Sequence, residues 1–492
     1  KCKVVVAGSA NDVTDKEKEF LSPAELSAGV RLACQVTAVP NMVVSILNHD
    51  GESIEILNSF DSKKITKSSK KVKKFGIAID VGTTSVVVYA VDKSNGKIIS
   101  SVSAINPQTS CGADVISRIS CISDDNTMLE ILRFALVKQL NKMILEIINE
   151  ADLEIANLEN IVAAGNTTME HILLGISPVS IGRYPFTPQF RNGQKVKCKD
   201  VGFSFCPDAE VWVMPNISGF VGGDIVAGIV YSALCSSKEL SLLLDIGTNN
   251  EMVLGSSDYL VCCSAAAGPA FEGAKISAGM RGARGAIEKV SIGADDIKLS
   301  VIGDTVPKGI CGSGLIDITS ELVRVGVITA NGKFAKKDNL PECKWKERLV
   351  AGESSKMKFI LAYENEHGVH PEVALTQKDV REVQLAKGAI AAGIEIMLAE
   401  LGKDISDLDR VYIAGAFGNY INLESAMNIG IIPAIPKYKV VPLGNSAGLG
   451  ACLMVTNEKS RESAKEVIDT ASNIELALHP KFQDIFVKNI SF

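Results

Sequence analysis

The stretch FGIAIDVGTTSVVVYAVD, residues 75–92, decides the fold of this chain. An apolar run ends at Asp80, a Gly-Thr-Thr turn follows, and a second apolar run leads away, which predicts two antiparallel strands joined by a polar turn. Gly82 permits a tight turn, and the hydroxyls of Thr83 and Thr84 add donors to the backbone N–H groups that such a turn offers to an anion. A carboxylate repels phosphate but binds Mg²⁺, so the aspartate predicts a site for a phosphate together with its metal ion.

The same arrangement recurs at LLLDIGTNNEMVLG, residues 242–255. Asp245 ends an apolar strand, and Gly247, Thr248 and Asn249 form the turn that follows. A single Asp-x-Gly turn is a weak signal, because ordinary hairpins also contain it. Two copies, each after an apolar strand in a similar α/β half, predict two lobes that bind a polyphosphate between their turns. We expect the aspartates of both turns to act in catalysis through the bound metal.

A third segment, IAGAFGNYIN at residues 413–422, places glycines after another apolar strand. Gly415 and Gly418 stand on either side of Phe417, and backbone without side chains would let a flat adenine ring lie close to the chain. A glycine-rich packing turn is the alternative interpretation. Combined with the two phosphate turns, this segment predicts a site for an adenine nucleotide.

Two more turns are candidates for the same site. GNTT, residues 165–168, opens a predicted helix at Asn166, and GGD, residues 222–224, opens another at Gly223 and Asp224. We expect Asn166 and Gly223 at turns that face the nucleotide, and Asp224 to act in catalysis or in holding the metal. For Asp224 a simple helix N-cap is the competing interpretation, because aspartate is a good cap.

Composition sets broad limits on function. The 492 residues allow several domains, and 46% hydrophobic with 22% charged residues is an ordinary mixture for a globular protein. A net charge of -6 and a sequence pI of about 5.6 argue against a nucleic-acid-binding protein. The sequence has no apolar run long enough to span a bilayer and no signal-peptide pattern, so we expect a cytoplasmic protein with no membrane partner. Its cysteines indicate buried thiols or metal ligands rather than disulfides.

The chain is predicted to have four regions. Residues 1–47 form a small unit, 48–74 a linker, 75–238 a first lobe, and 239–492 a second lobe with the carboxyl-terminal region. The linker ends in DSKKITKSSKKVKK, residues 61–74, whose lysines predict a solvated, flexible connection. A docking site for an acidic partner is the alternative interpretation. The two lobes begin with the same pattern of strands, so we expect them to share one plan.

The first region contains KCKVVVAG, then LSPAELSAGVRLACQ and the apolar VVSIL. Ser22, Pro23 and Glu25 form the capping-box pattern of a short helix. This order resembles the second half of a plant-type [2Fe–2S] ferredoxin, a β-grasp domain with three closely spaced cysteines and a distant fourth. The resemblance implies that Cys2 and Cys34 are the third and fourth cluster ligands. The first two would lie in an upstream segment, so we expect an amino-terminally truncated sequence. Two unrelated cysteines are the alternative.

The three glycine turns together resemble the superfamily of acetate and sugar kinases, heat-shock chaperones and actin. IAIDVGTTSV resembles its first phosphate motif, LLLDIGTNNE its second, and VYIAGAFGNY its adenosine motif. The resemblance implies an α/β chain with a two-lobed actin-like (ribonuclease H-like) ATPase fold, preceded by the partial ferredoxin domain and the linker. It also implies that the motif residues contact ATP and Mg²⁺: Asp80, Gly82, Thr83, Thr84, Asp245, Gly247, Thr248, Gly415 and Gly418.

Longer stretches resemble one family, the ATP-dependent reductive activators of corrinoid proteins. They are NISGFVGGDIVAGI, CSAAAGPAFEGAKISAGMRGARGAIEKV, KGICGSGLIDITSELVRVGVI and GNYINLESAMNIGIIP. The resemblance implies that one electron passes from the [2Fe–2S] cluster to a corrinoid, reducing Co(II) to Co(I), and that ATP hydrolysis drives the step. The implied partners are a corrinoid protein of a methyltransferase system and an electron donor. A homodimer is left open, and we expect no nucleic acid partner.

Three other functions remain as alternatives. A small-molecule kinase would need an acceptor pocket and a carboxylate base near the γ-phosphate. An activator of the 2-hydroxyacyl-CoA dehydratase type would carry its cluster cysteines within the ATPase lobes and would lack a ferredoxin domain. An actin-like filament or scaffold would have no use for a cluster, so Cys2 and Cys34 argue against it.

The remaining cysteines and histidines are weaker candidates. Cys262, Cys263 and Cys311 lack the Cys-x₂₋₄-Cys spacing of a second cluster, which predicts that they pack as small buried residues. His367 and His370 stand close together in a polar loop that has no matching carboxylate pattern. We therefore do not expect them to bind a metal.

Overall fold

The computed structural model describes residues 3–7, 11–27, 29–37, 43–46, 72–247, 249–265, 268–273, 275–294, 296–352, 357–364, 368–369, 371–415 and 420–492. The chain divides into two compact units, Lys1–Ile54 and Glu55–Phe492. Of the predicted linker, residues 48–74, only 72–74 are among the described residues.

The first unit contains an antiparallel sheet and two short helices: β1 (Lys3–Ala7), α1 (Asp15–Phe20), α2 (Pro23–Ser27), β2 (Val30–Leu32) and β3 (Val43–Ile46). The sheet order is β2-β1-β3, with both neighbours antiparallel to β1. The expected capping box starts α2, because the N–H of Glu25 donates to Ser22 Oγ at 3.3 Å and the N–H of Ser22 donates to Glu25 Oε2 at 2.9 Å. A buried ion pair of 2.8 Å joins Arg31 of β2 to Glu17 of α1, so strand and helix form one core.

The second unit begins with the strands of the first lobe and continues with those of the second. They are β4 (Phe75–Val81), β5 (Ser85–Asp92), β6 (Ile98–Ile105), β7 (Leu158–Gly165), β8 (Gln194–Lys197), β9 (Glu210–Val213), β10 (Ser241–Ile246), β11 (Asn250–Gly255), β12 (Leu260–Ala265), β13 (Ala286–Ile292), β14 (Ile297–Val301), β15 (Gly309–Ile310), β16 (Leu349–Ala351), β17 (Met357–Ala362), β18 (Val373–Thr376), β19 (Arg410–Ala414), β20 (Val440–Gly444) and β21 (Ala471–Ile474).

Helices alternate with these strands. They are α3 (Val115–Asp124), α4 (Thr127–Glu150), α5 (Thr167–Leu174), α6 (Cys198–Val201), α7 (Gly223–Tyr231), α8 (Gly312–Arg324), α9 (Gln377–Glu400), α10 (Leu423–Asn428), α11 (Ser446–Thr456), α12 (Glu458–Thr470) and α13 (Phe482–Asn489). Within the described ranges, none of the helices combines the length and the hydropathy that crossing a bilayer requires.

The sheet of the first lobe has the order β6-β5-β4-β7-β9-β8. β4 and β5 are the predicted antiparallel pair, β6 extends them to a meander, and β7 runs parallel to β4. β4 is central and almost fully buried, as its unbroken apolar sequence requires. Asp80 lies at the carboxyl end of this strand, opposite Ala164 of β7.

The second lobe repeats the same plan, with the order β20-β19-β10-β11-β12-β21. β10, β11 and β12 form the antiparallel meander, and β19 runs parallel to β10. Asp245 in β10 therefore occupies the place that Asp80 has in β4. Two smaller sheets, β14-β13-β15 and β16-β17-β18, belong to this part of the chain. Two lobes with one strand order confirm the two-lobed actin-like (ribonuclease H-like) α/β fold expected from the sequence.

Helices α7 and α11 pack against each other and join the lobes. α11 follows β20 of the second lobe, yet it packs on β4 and β7 of the first. The apolar cluster around the two helices contains side chains from both sheets, including Ala78, Val162, Leu243 and Val253. The first residues of α7 and α11 therefore reach the place where the two central strands end.

Candidate functional site

The three aspartates predicted to be catalytic lie together between the lobes. Asp80 and Asp245 end the central strands, and Asp224 lies in the first turn of α7. Burial, and then the charges of Asp245 and Asp80, raise the pKa of Asp224 to about 8. Burial raises the pKa of Asp245 to about 6. For Asp80, burial raises the pKa to about 7, against a hydrogen bond from Asn445 that lowers it. Although the three side chains are partly exposed, the surrounding protein disfavours their charged forms.

Two further carboxylates join this cluster, and the sequence analysis did not single them out. Glu251 stands opposite Asp245 in the β10–β11 register, and burial followed by the charges of Asp224 and Asp245 raises its pKa well above the ordinary value. Glu170 of α5 is fully buried, and burial followed by the charge of Asp224 raises its pKa in the same direction. Glu251 could have been identified from the sequence, since it is the last residue of the motif LLLDIGTNNE.

This cluster has the chemistry of a site for a divalent cation. In the part of the chain that the structure describes, its five members form no ion pair with a lysine or arginine: Asp80, Glu170, Asp224, Asp245 and Glu251. Carboxylates that are desolvated by the surrounding protein and have no counter-charge favour their protonated form or a bound cation. The described histidines, cysteines and carboxylates do not form a ready-made cage of three metal ligands. Mg²⁺ fits such a site, because it keeps water and uses one or two carboxylates together with substrate phosphates.

Asp224 is not the N-cap of its helix, so that competing interpretation is wrong. Gly222 is the N-cap of α7, and the Asp224 carboxylate accepts the N–H of Ile225 at 2.8 Å. Glycine is required at 222, since an added Cβ would come within 2.5 Å of the Thr167 backbone nitrogen. At Gly223 an added Cβ would collide with Glu170 Oε1. These close approaches hold the amino ends of α5 and α7 together beside the aspartates.

Two asparagine side chains hold the first predicted phosphate turn by hydrogen bonds. The side-chain amide of Asn106 donates to the Gly82 carbonyl at 2.8 Å, and that of Asn166 donates to Thr83 Oγ1 at 2.8 Å. Asn166 also caps α5 by accepting the N–H of Met169, so the predicted helix start lies next to this turn. At Gly82 an added Cβ would lie 2.5 Å from the Ser85 carbonyl oxygen, which explains the glycine.

The second predicted turn is more open. At Gly247 the nearest described atom to an added Cβ would be the Asn249 carbonyl oxygen at 3.6 Å, so the described residues do not crowd this backbone. The neighbouring Asn250 is 1% exposed, and neither polar atom of its side chain has a hydrogen-bond partner among the described residues. Thr248, predicted to bind phosphate, lies outside the described residues.

The third predicted segment meets the second turn. Gly415 follows β19 with φ of 86°, and an added Cβ would lie 2.8 Å from Asp245 Oδ1 and 2.7 Å from the Ile246 carbonyl oxygen. The backbone can lie this close to the Asp245 carboxylate only where the residue has no Cβ, so steric contact explains the glycine at 415. Gly418 is outside the residues that the structure describes.

Asn445 and Glu272 are site residues that the sequence analysis missed. Asn445 donates from Nδ2 to Asp80 Oδ2 at 2.8 Å and to the Tyr89 hydroxyl at 3.2 Å. The sequence contains a pattern that could have identified Asn445: Gly-Asn-Ser at 444–446 repeats the Gly-Asn-Thr at 165–167. Both asparagines cap a helix that follows a strand. Glu272 accepts the Thr84 hydroxyl at 3.1 Å and thereby joins the first turn to the second lobe.

The candidate cluster cysteines belong to the first unit. Cys34 lies in the 3₁₀ turn Ala33–Gln35 directly after β2; its side chain and the whole of Cys2 are outside the described structure. The register pairs Lys3 with Leu32, so this turn lies at the end of the sheet where β1 begins. Cluster ligands placed directly before β1 and after β2 would belong to this end of the sheet.

The other cysteines and histidines considered from the sequence have no comparable arrangement. Cys262, Cys263 and Cys311 are buried, and burial raises the pKa of Cys262 to about 12. His367 and His370 fall on residues that the structure does not describe.

Family models match most of the chain. A model described as the RACo middle region matches residues 75–237, and one described as the C-terminal domain of RACo, the ASKHA domain, matches residues 239–492. These matched ranges contain every described residue of the site.

Curated relatives and a solved structure agree with the family models. The chain is 37% identical to the corrinoid activation enzyme RamQ of Eubacterium limosum, over 87% of this chain and 72% of that protein. It is 25% identical to a [Co(II) methylated amine-specific corrinoid protein] reductase of Methanosarcina barkeri, over 85% and 77% of the two chains. A solved structure titled reductive activator for corrinoid, iron-sulfur protein superposes with a TM-score of 0.76 and 31% identity, covering 100% of this chain and 91% of the other. The chain therefore belongs to the RACo family, the reductive activators of corrinoid proteins.

Proposed function

We propose that this chain is an ATP-dependent activase that transfers one electron to a corrinoid protein and thereby reduces Co(II) to Co(I). The observation that carries the proposal is the cluster of Asp80, Asp224 and Asp245 at the carboxyl ends of two equivalent strands. Such a cluster beside two turns rich in donors suits a polyphosphate with its metal, and the names of the relatives supply the corrinoid substrate.

The nucleotide would lie between the two turns. Gly82, Thr83 and Thr84 would bind one part of the polyphosphate, and the turn of Gly247, Thr248 and Asn249 the other. Gly415 and Gly418 would let the adenine ring approach the backbone, and Asn166 and Gly223 would keep the adjoining helix ends in place. A Mg²⁺ ion held by Asp80, Asp224 and Asp245 would neutralise charge on the phosphates during hydrolysis.

The contacts between the lobes explain how hydrolysis would drive a change of conformation. Asn445 donates to Asp80, and Glu272 accepts from Thr84, so the residues on both sides of the first turn contact residues from the second half of the chain. A ligand shifts a conformational equilibrium only by its different affinity for the two states. A nucleotide that contacts both turns would favour the arrangement of the lobes in which the turns lie at the matching separation. Hydrolysis of the nucleotide would remove this preference.

The first unit would supply the electron. Cys2 and Cys34 would provide two thiolate ligands of a [2Fe–2S] cluster, which is a one-electron carrier. An electron donor would reduce it, and the predicted linker, residues 48–74, would allow the unit to reach both the donor and the corrinoid protein of a methyltransferase system. A cytoplasmic location and a homodimer remain compatible with this role.

One experiment separates the parts of the proposal. The full-length natural protein is reduced anaerobically and mixed with a Co(II) corrinoid protein, and the Co(I) absorption is followed with and without ATP. We expect Co(I) to form only with ATP in the wild-type protein. Cys34→Ala should abolish Co(I) formation while ATP is still hydrolysed, and Asp245→Asn should abolish both. Asp208→Asn, at a carboxylate that is 71% exposed, is the matched control and should behave as wild type.

Three results of this experiment would contradict parts of the proposal. Steady ATP turnover without any Co(I) in the wild-type protein would contradict the activase role. Co(I) formation that is the same with and without ATP would contradict the coupling. Unchanged ATP hydrolysis and Co(I) formation in Asp245→Asn would contradict the proposed role of the carboxylate cluster.

A further inference from the structure

Arg118 is a fully buried cation directly behind the first phosphate turn. It lies in α3 with 0% exposure and uses all three of its nitrogen atoms as donors. Nε donates to the Gly112 carbonyl at 3.1 Å, and Nη1 donates to Gln108 Oε1 at 3.0 Å and contacts Met169 Sδ at 3.0 Å. Nη2 donates to the carbonyl of Thr83 at 2.5 Å, so the guanidinium is fixed against the turn itself.

None of these four acceptors carries a charge. Arg118 forms no salt bridge with any carboxylate in the described ranges; the charge of Asp114, at the start of the same helix, acts on it only through space. Burial lowers the pKa of Arg118 to about 10, so the side chain stays protonated at neutral pH. A buried charge that has only neutral hydrogen-bond acceptors is costly for a fold, and an anion bound at the neighbouring turn would offset part of that cost.

The contact with Thr83 also fixes the direction of a donor. The Thr83 carbonyl and the Thr84 N–H belong to one planar peptide unit, and the cis bond in the described chain lies elsewhere, between Tyr184 and Pro185. In a trans unit the N–H points away from the carbonyl. A guanidinium that holds the carbonyl therefore turns the N–H to the opposite side and, by polarising the peptide, makes it a stronger donor.

The charges on the two sides of the turn differ in sign. Asp80, at the end of the strand that leads into the turn, belongs to the carboxylate cluster, whereas Arg118 lies behind Thr83. A magnesium polyphosphate contains a positively charged metal ion and negatively charged phosphate oxygens. The metal is attracted to the carboxylates, and the phosphate oxygens are attracted to the turn that has the cation behind it.

We propose that Arg118 is a positioning residue for the polyphosphate: it orients the Thr83–Thr84 peptide and supplies a buried positive charge behind the first phosphate turn. This inference rests on the proposed nucleotide-binding function and adds to it a residue that no motif contains. Arg118 acts through Thr83 and does not itself contact the nucleotide. Its effect should therefore depend on the phosphates of the ligand and not on the adenosine.

The test compares affinities for ATP, ADP and adenosine by calorimetry or competition. Arg118→Met keeps the approximate length of the side chain and removes the charge together with the guanidinium group that donates the hydrogen bonds. We expect ATP and ADP to bind about tenfold more weakly or worse, and adenosine to bind within about twofold of wild type. Arg118→Lys keeps the charge and loses the guanidinium group. We expect its affinity for ATP to fall by only about threefold and its affinity for adenosine to stay unchanged.

A matched control is Arg133→Met on α4 of the same lobe. Arg133 also donates to backbone carbonyls, those of Leu173 and Asp200, but at the far end of α5. It should leave all three affinities unchanged. Equal losses for adenosine and ATP in the Arg118 variants would indicate a purely structural role and overturn the inference, as would wild-type ATP affinity in a folded Arg118→Met.

Folding is checked by circular dichroism. If Arg118→Met does not fold, the comparison of ATP with adenosine in Arg118→Lys decides the question by the same criterion. A wild-type protein that binds no adenine nucleotide would overturn the proposed function together with this inference. A wild-type protein that binds ATP, with Arg118 variants that also bind it normally, would overturn only the inference.

Discussion

Asn445 donates a hydrogen bond of 2.8 Å to the carboxylate of Asp80, although 365 positions separate the two residues in the chain. The same side chain caps α11, because its Oδ1 accepts the N–H of Gly448 at 2.8 Å. α11 follows the second lobe and packs on the first. The orientation of a candidate metal ligand in one lobe is therefore fixed by a helix start that the other lobe supplies.

Asn445→Ser should separate the two tasks of this residue. Serine also caps helices well, but it lacks the amide that donates to Asp80. Losing this bond should raise the pKa of Asp80 further and weaken metal binding. We expect the rate of ATP hydrolysis to fall about tenfold, with a change of unfolding free energy of about 1 kcal/mol or less.

The matched control is Asn457→Ser, which replaces another helix-capping asparagine. Asn457 caps α12 by accepting the N–H of Lys459 at 3.0 Å. We expect the same small change in stability and no change in hydrolysis. Equal hydrolysis rates for Asn445→Ser and the wild type would show that the Asp80 contact is irrelevant to the reaction.

Binding of magnesium nucleotide should release protons from the aspartate cluster. The pKa values of Asp224, Asp80 and Asp245, about 8, 7 and 6, lie above the ordinary value near 4 chiefly because burial disfavours the charged form. The folded apoprotein therefore holds protons that the unfolded chain has lost. This contribution to stability is complete below about pH 4 and is lost as the pH rises from about 4 through the folded pKa values, up to about pH 8. A bound cation reverses the shift and expels the protons.

Calorimetry in buffers of different ionisation enthalpy measures this release. At pH 6.5 we expect the observed binding enthalpy of MgATP to depend on the buffer, with net proton release, and the release to shrink in Asp245→Asn. The surface variant Asp208→Asn should match the wild type. Identical enthalpies in all buffers would mean that the aspartates are already ionised in the apoprotein.

The sequence predicted the parts of the site that are local. Asp80 and Asp245 each follow an apolar strand and precede a glycine turn, and this pattern identified both without any knowledge of their neighbours. Repetition of the pattern then predicted the two similar sheets. The turn at Gly415 was also recognisable, since a glycine after a buried strand often marks a close approach of backbone.

The sequence could not predict the long-range contacts. Arg118 lies in helix α3, and an arginine in a helix normally faces solvent, so the sequence gives no sign that this side chain is buried beside the first turn. Glu272 follows a proline in a glycine-rich stretch that has no periodic pattern, so nothing local connects it with Thr84. Such pairings depend on the arrangement of the two lobes, which a single sequence does not encode as a local pattern.

His171 should make the first lobe sensitive to acid. The ring is fully buried, stacks on Phe190 and accepts the N–H of Gln189 at Nε2, 3.0 Å away, so its other nitrogen carries the hydrogen that faces the Thr167 carbonyl. Burial lowers the pKa of this imidazole to about 4. Below about pH 6.5 the unfolded chain binds a proton that the folded protein cannot. The contribution of His171 to stability should then fall by about 1.4 kcal/mol per pH unit until about pH 4, in the direction opposite to that of the aspartate cluster.

Urea unfolding at pH 7 and pH 5 measures this dependence. His171→Gln, which is neutral at both values, should reduce the difference in unfolding free energy between them, whatever its effect at pH 7. His479→Gln, next to Glu400 in the second lobe, is the comparison variant and should retain the acid sensitivity of the first lobe. An undiminished difference in His171→Gln would assign the acid sensitivity to other groups.

Glu272→Gln should strengthen nucleotide binding. The Glu272 carboxylate accepts the hydroxyl of Thr84 at 3.1 Å, and this is the hydroxyl that the first turn would offer to a phosphate. A phosphate arriving there must displace the carboxylate and is repelled by its charge. Glutamine keeps the shape and removes the charge, so we expect the affinity for ATP to rise by about three- to tenfold. Glu288→Gln, on β13, is the control and should leave the affinity unchanged. A loss of affinity in Glu272→Gln would contradict this repulsion and would mean that the carboxylate stabilises the bound nucleotide, through its metal ion or through a hydrogen bond.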